Sequence, residues 1–500
     1  MLQLDPLEFK KQRRLAVLWG ITLMILFPVL IILGLLMRMS QGDMSDLSPD
    51  TFYAYMTFHG LGMAGTLFSF SLAGLWFLNS TRIVRLNLKI GYFVYIAILL
   101  GVIGLAIGVF VGNFGPGWYM LYPLPFKGGS WSTWSTQIST VSLLILGASW
   151  LIGILHILYN LAKEFGGLSN LLGWQYLKKQ EVKRELPPLV LITTISLIPG
   201  LFAFVTGAAM LIMYLLQTFE PTLNFDPLLM KNMVMFFGHT LVNITMYCCL
   251  GWVYTLLPEF THREWKVNNV LVYSWNATFF FIVFAYFHHL YMDFSQASGL
   301  QYFGQVASYL SPIPATGITM FGVVAQIYHA KLKWSIVPLT FLMGTLGWAI
   351  GGLSAVVDST IAINKVLHNT LWVPAHFHTY MLMGVVLFII GFLFYLFSAK
   401  GNIKISKVAM AGFWTFVLGS YGFLLMFYLG GYHSIPRRFS SYSGVGIEST
   451  HSIGASLAKG GVHSIHLLLL GLFVMYVVLV YNLMKKSDAD LEAEALSENS

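Results

Sequence analysis

Six histidines fall inside long apolar stretches, where an imidazole needs a partner. His59 stands in FHGLGMAG, His239 in GHTLVN, His288 and His289 in FAYFHHLYM, and His376 and His378 in HNTLWVPAHFH. Neutral imidazole is a common ligand for transition metals. At about 100° per residue on a regular helix, His376 and His378 lie about 200° apart and point to opposite sides. One helix can thus offer a ligand to each of two bound groups. His288 and His289 are about 100° apart, and His239 would complete a three-imidazole metal site with an open position, an arrangement built for chemistry. A single histidine in an apolar helix more often bonds a neighbouring helix. Six from four helices, all in one layer, argue for a shared site, because ionisable groups at membrane depth are costly and usually functional.

The elements that hold them are membrane spans. The chain has 500 residues, 57% hydrophobic and 10% charged, with a mean hydropathy of +0.73. That composition excludes an ordinary soluble protein. A span needs roughly 20 apolar residues, and twelve such runs are present, at about 15–38, 51–79, 88–114, 141–162, 188–217, 229–258, 271–293, 313–331, 334–357, 371–398, 408–429 and 462–484. The expected fold is an all-α polytopic membrane protein.

Basic residues set the expected orientation. With the N-terminus inside, all but seven of the 28 Lys and Arg residues fall on the cytoplasmic side. The exceptions are Arg38, Lys127, Lys231, Lys365, Arg437, Arg438 and Lys459. This bias predicts an even number of spans and two cytoplasmic termini. The net charge of +8 therefore reports topology, and its spread over short loops argues against a nucleic-acid partner.

The expected organisation is a cytoplasmic segment 1–14, a twelve-helix membrane domain 15–484 and an acidic, disordered cytoplasmic tail 485–500. The charged first segment leads straight into a full-length span, without the pattern of a removable signal peptide. Cys248 and Cys249 are adjacent in an apolar run, which offers neither a disulfide framework nor a thiolate metal site.

The motifs FHG, GHTLVN, YFHHLY and HNTLWVPAHFH, in that order and on those helices, resemble subunit I of the haem–copper oxidase superfamily across all twelve spans. The resemblance implies that His59 and His378 bind a low-spin haem from its two sides. It makes His376 the ligand of a high-spin haem, and His239, His288 and His289 the holders of a second metal. A haem with two histidine ligands passes electrons, whereas one with a single histidine can bind a diatomic gas. Arg437 and Arg438, in SIPRRF, fall where haem propionates would emerge, and Arg suits carboxylate pairing. The plainer reading of the two arginines is as headgroup anchors. His368 resembles the family's propionate-side histidine.

Four residues after His239, on the same helix face, stands Asn243. In many oxidases of the family this position is a tyrosine, and in familiar nitric oxide reductases a glutamate. An amide neither gives an electron readily nor titrates near neutral pH. A further oxidase branch takes its tyrosine from six residues before the HH pair, which here is Ile282, while Tyr286 is turned away. Tyr247 lies one turn beyond Asn243, about 12 Å along the helix from His239; it is a distant substitute for the missing tyrosine and reads more simply as packing or part of a hydrogen-bonded path.

The expected function is therefore a respiratory nitric oxide reductase on a B-type oxidase scaffold, reducing two NO to N2O. The alternative is a B-type terminal oxidase reducing O2 to water. Three imidazoles without a carboxylate favour copper over iron as the non-haem metal. A transporter with structural histidines is the reading from another class. Proton-path candidates are Tyr254, Ser311, Thr316 and Thr319, although Leu250 interrupts the polar side of the sixth run. No haem-attachment motif or cysteine-based copper centre is present, so electrons must come from elsewhere. The resemblance implies a smaller subunit with an outward-facing copper or haem domain, a cytochrome c or quinol donor, and a bacterial or archaeal-type cell (inner) membrane.

Overall fold

Among the described residues, twelve helices are long and apolar enough to cross a membrane, as the sequence predicts. They are α1 (Pro6–Gln41), α2 (Pro49–Arg82), α3 (Leu88–Val111), α4 (Thr133–Phe165), α5 (Pro188–Phe219), α6 (Pro227–Thr261), α7 (Asn269–Leu290), α8 (Ser298–Ile327), α9 (Ile336–Ser359), α10 (Trp372–Phe397), α11 (Lys407–Tyr432) and α12 (Thr450–Met484). The computed structural model describes residues 5–126, 129–178, 184–293, 297–398, 406–442 and 448–498. Lys127 lies outside the described residues. Among those described there is no strand, only an isolated bridge between Thr370 and Pro436.

Local chemistry starts several spans sharply. α1, α2 and α6 each open with a proline in the first turn, behind a side chain that accepts a backbone N–H. Asp5 accepts from Leu7, Ser48 from Thr51 and Asp226 from Leu229. Such a cap satisfies a donor that the helix cannot.

α10 is enclosed in the bundle, with Phe388, Phe392 and Leu393 fully buried. Trp252 of α6 stacks on Phe392 with ring centroids 4.3 Å apart. α3 and α12 instead expose large apolar side chains such as Ile96, Leu100, Leu470 and Phe473, the surface a bilayer covers.

Three departures from regular helix bear on the site. In α7 the α-helical part ends at Ile282, and His288 and His289 stand on a 3-10 segment, Ala285–Leu290. The Ala285 carbonyl, which a continuing α-helix would pair with a backbone N–H one turn on, is bonded instead by His288 Nδ1 at 2.6 Å and Ser308 Oγ at 3.0 Å. Side-chain donors here compete with the helical ladder.

α8 begins at Ser298, well before the predicted 313. Its first part, Ser298–Leu310, is too polar to register as an apolar run, and Pro312 marks the joint with Ile313–Ile327. α10 is α-helical over Trp372–His378 and then widens into a π-helix, Thr379–Val386.

The π segment lies directly on the backbone of α9. A Cβ added to Gly351 would stand 2.9 Å from the Tyr380 Cα, and one on Gly347 would stand 2.2 Å from the Met383 carbonyl oxygen. Only glycine permits this approach. The acidic tail, expected to be disordered, continues the last helix to Glu498. Its DADLEAEALSE stretch is rich in helix-forming residues and extends a helix already nucleated.

Candidate metal and haem site

The three-histidine group forms where α6 meets the 3-10 segment of α7. His239, His288 and His289 each present a ring nitrogen within 4.8 Å of the others. Ring centroids are 5.1 Å apart for His239 and His288, 5.4 Å for His239 and His289, and 4.1 Å for His288 and His289. His239 is steeply inclined to the other two rings, at 76° and 65°, and His288 and His289 are tilted by 41°, so no pair stacks flat.

Hydrogen bonds orient the rings. His288 Nδ1 faces the Ala285 carbonyl at 2.6 Å, His59 Nδ1 the Leu30 carbonyl at 2.7 Å, His376 Nδ1 the Gly351 carbonyl at 3.1 Å and His378 Nδ1 the Pro374 carbonyl at 2.7 Å. A carbonyl only accepts, so each Nδ1 carries the proton and each Nε2 keeps its lone pair outward. This is how proteins prepare histidine for a metal.

His59 of α2 and His378 of α10 face each other with centroids 6.4 Å apart and planes 23° from parallel. That is too wide for direct ring contact, and it suits one metal ion between two imidazole nitrogens at about 2.0–2.1 Å each. Phe423 and Phe427 pack against His378 at 5.5 and 5.4 Å. On the far side a Cβ on Gly34 would come within 2.9 Å of His59 Cε1, so α1 closes on the ring with no room for a side chain.

Arg437 and Arg438 are tied to the start of α10. Arg437 N–H donates to the Asn369 carbonyl at 2.9 Å, and Leu371 N–H to the Ile435 carbonyl at 2.9 Å. Burial, then neighbouring Arg438, pulls the Arg437 guanidinium down to about 9, with Asp358 acting in the opposite sense. Its buried Nε has no protein partner. Arg438 is also lowered by burial, and its guanidinium lies 3.9 Å over the Tyr119 ring. His368 is lowered to about 4 by burial, then by Arg437. Two buried cations beside a neutral histidine form a place for carboxylates.

Residues 14–458 match the family described as "Cytochrome C and Quinol oxidase polypeptide I". The chain belongs to that family. Among its relatives, cytochrome c oxidase polypeptide 1 of Halobacterium salinarum is 28% identical over 334 residues, covering 65% of this chain and 53% of that protein. Cytochrome c oxidase subunit 1 of Pecten maximus is 28% identical over 338 residues, covering 66% of this chain and 68% of the relative. The chain thus spans about half to two thirds of the length of these relatives. A solved heme-copper terminal oxidase dimer shares the fold, with a TM-score of 0.79 at 17% identity, over 94% of this chain and 84% of that one.

Membership of the oxidase subunit I family, with twelve membrane-length helices among the described residues, makes this a multi-pass membrane protein of the haem–copper class, and its donor sets fit such groups. The three-imidazole cluster fits a metal ion, the His59–His378 gap fits a doubly ligated iron, and the buried arginines fit propionates.

The structure brings the predicted residues together unevenly. Asn243 Nδ2 lies 3.1 Å from His239 Nδ1, as their i, i+4 spacing predicts. Tyr254 and Thr319 hydroxyls bond at 2.9 Å, and Trp275 Nε1–H donates to Tyr254 at 3.3 Å. Tyr247 O–H donates to the Ser311 carbonyl at 3.5 Å, while Thr316 Oγ1 is buried with no protein partner. Tyr286 turns away from the cluster and donates to Asn232 at 3.3 Å.

Sequence reasoning missed Tyr380. This buried phenol of the π segment donates its O–H to Asn243 Oδ1 at 3.1 Å. Its place in the π segment, where regular helical spacing lapses, left no signal in the sequence for this contact.

Proposed function

We propose that this chain is the catalytic subunit of a respiratory nitric oxide reductase, performing 2 NO + 2 e− + 2 H+ → N2O + H2O. The observation that carries the reading is the Asn243 amide, bonded to His239 at 3.1 Å where O2-reducing relatives are expected to have a phenol. Two-electron reduction of NO requires no side chain to yield an electron, and an amide yields none.

In this reading His59 and His378 hold the low-spin haem, His376 holds the high-spin haem, and His239, His288 and His289 hold the non-haem metal, copper rather than iron. When bound, these groups supply the electrons and the polarising charge for joining two NO molecules. Arg437, Arg438 and His368 bind the propionates. The protein's part is then positional: carbonyl-bound Nδ1 atoms fix the rings of His59, His288, His376 and His378, and Asn243 offers hydrogen bonds beside the gas without accepting a proton.

Protons reach the site along the hydroxyls of Tyr254 and Thr319 and past Ser311 and Thr316. A smaller subunit receives electrons from cytochrome c or quinol. The setting is a bacterial or archaeal-type cell (inner) membrane with both termini cytoplasmic, the outer half carrying the histidines.

A B-type terminal oxidase is the second reading. It is favoured by the names of the curated relatives and by the Tyr380 phenol one amide away from His239. Turnover of NO and of O2 by one preparation of the purified complex separates the two, since each reading expects only one gas to be consumed rapidly.

A further inference from the structure

A phenol, an amide and an imidazole form a chain from α10 to α6: Tyr380 O–H to Asn243 Oδ1 at 3.1 Å, and Asn243 Nδ2 to His239 Nδ1 at 3.1 Å. We propose that Tyr380 is a positioning residue for the three-histidine group, holding the Asn243 amide and, through it, the ring of His239.

Three observations support this. First, His239 is the cluster member on a regular helix, and its Nδ1 faces a side chain; His288, by contrast, is fixed by the backbone carbonyl of Ala285. An Asn side chain turns freely unless both ends of its amide are held. Tyr380 holds the far end.

Second, the phenol springs from a closely packed stretch of backbone. Its backbone lies against Gly351 of α9, where an added Cβ would come within 2.9 Å of both Tyr380 Cα and N. The same Gly351 supplies the carbonyl that holds His376 Nδ1 at 3.1 Å. Tyr380 and His376 are thus registered against one point of α9, and the chain carries that register across to His239.

Third, a hydroxyl both donates and accepts. If Nδ1 of His239 carries the proton when a metal occupies the other nitrogen, the amide turns round: Oδ1 accepts from the imidazole and Nδ2 donates to the phenol oxygen. Tyr380 holds the amide in either orientation. Phenylalanine of the same shape holds it in neither.

The inference rests on His239 belonging to a metal site and is independent of which gas is reduced. Its test compares the purified complex with Tyr380→Phe, Asn243→Ala and the double variant. Each is incubated with a soluble metal chelator, and copper and non-haem iron per protein are followed by mass spectrometry. The haem spectrum serves as the control for folding. Loss of such an outer partner typically lowers metal affinity about 10–100-fold, so each single variant should retain metal that much more weakly. Because Tyr380 acts through Asn243, the double variant should be no weaker than Asn243→Ala.

Retention in Tyr380→Phe equal to the parent, or a double variant showing the product of the two single losses, overturns the proposal. Should Tyr380→Phe lose its haems, Asn243→Ala carries the test, and parent-like retention there also overturns it. A parent complex with no non-haem metal contradicts the metal-site reading itself, a different failure from a parent that holds metal and a Tyr380→Phe variant that holds it equally well.

Discussion

His59 and His378 come from helices far apart in sequence, yet their rings face each other across 6.4 Å at 23° from parallel, each with Nδ1 bonded to a backbone carbonyl. The gap between the facing rings matches one metal ion bound on both sides.

Replacing either ring should therefore remove one haem selectively. His378→Ala is expected to abolish the low-spin haem signal in optical and electron paramagnetic resonance spectra while the high-spin signal survives. A variant that keeps both signals would remove His378 from the ligand set.

Gly34 tests the same pocket from the other side. A Cβ there meets His59 Cε1 at 2.9 Å, tighter than real contacts allow. Gly34→Val should displace the ring and cut low-spin haem content severalfold, with the three-histidine metal retained. Normal haem content would show that α1 yields and that the close approach is incidental.

The six histidines, the twelve spans and the i, i+4 facing of His239 and Asn243 were legible in the sequence because each follows from local rules: hydropathy over about 20 residues, or helical periodicity over four. What was illegible is where the helix departs from that periodicity. The 3-10 segment carrying His288 and His289 exists because side chains from α7 and α8 take the Ala285 carbonyl, a tertiary competition that periodicity cannot show. The π turn after His378 lies on the glycine contacts with α9, and Tyr380 gains its meaning only there. The early start of α8 was hidden by the polar residues of its first turns.

Arg437 is a buried guanidinium, pulled down to about 9 by burial and by Arg438, with an unpartnered Nε. A charge-assisted bond from this guanidinium to a haem propionate would contribute about 1.5–3 kcal/mol. Arg437→Leu should therefore reduce haem retention on mild detergent washing by more than tenfold, with Arg437→Lys intermediate because ammonium lacks the planar fork. Haem-to-protein ratio is the measurement, and unchanged retention in Arg437→Leu would return this residue to the role of a headgroup anchor.

Tyr254 and Thr319 share a 2.9 Å hydroxyl bond, and Trp275 Nε1–H donates to the same phenol. Interhelical bonds in membranes contribute only about 0.6 kcal/mol on average, so removing this one should leave folding intact. Tyr254→Phe is expected to slow turnover about tenfold, a barrier increase of about 1.4 kcal/mol, with unaltered haem spectra. Full activity in Tyr254→Phe and in Thr319→Val would place proton entry elsewhere.

The central claim is the choice of gas. The most direct measurement supplies the purified complex with an artificial electron donor and follows 15N-labelled NO, labelled N2O and O2 together by membrane-inlet mass spectrometry. The account predicts rapid loss of NO, with one doubly labelled N2O formed for every two NO consumed, and negligible O2 uptake. Rapid reduction of O2 to water with slow NO loss would contradict it, and would turn attention to Tyr380 as the phenol that serves an oxidase in place of the one missing at 243.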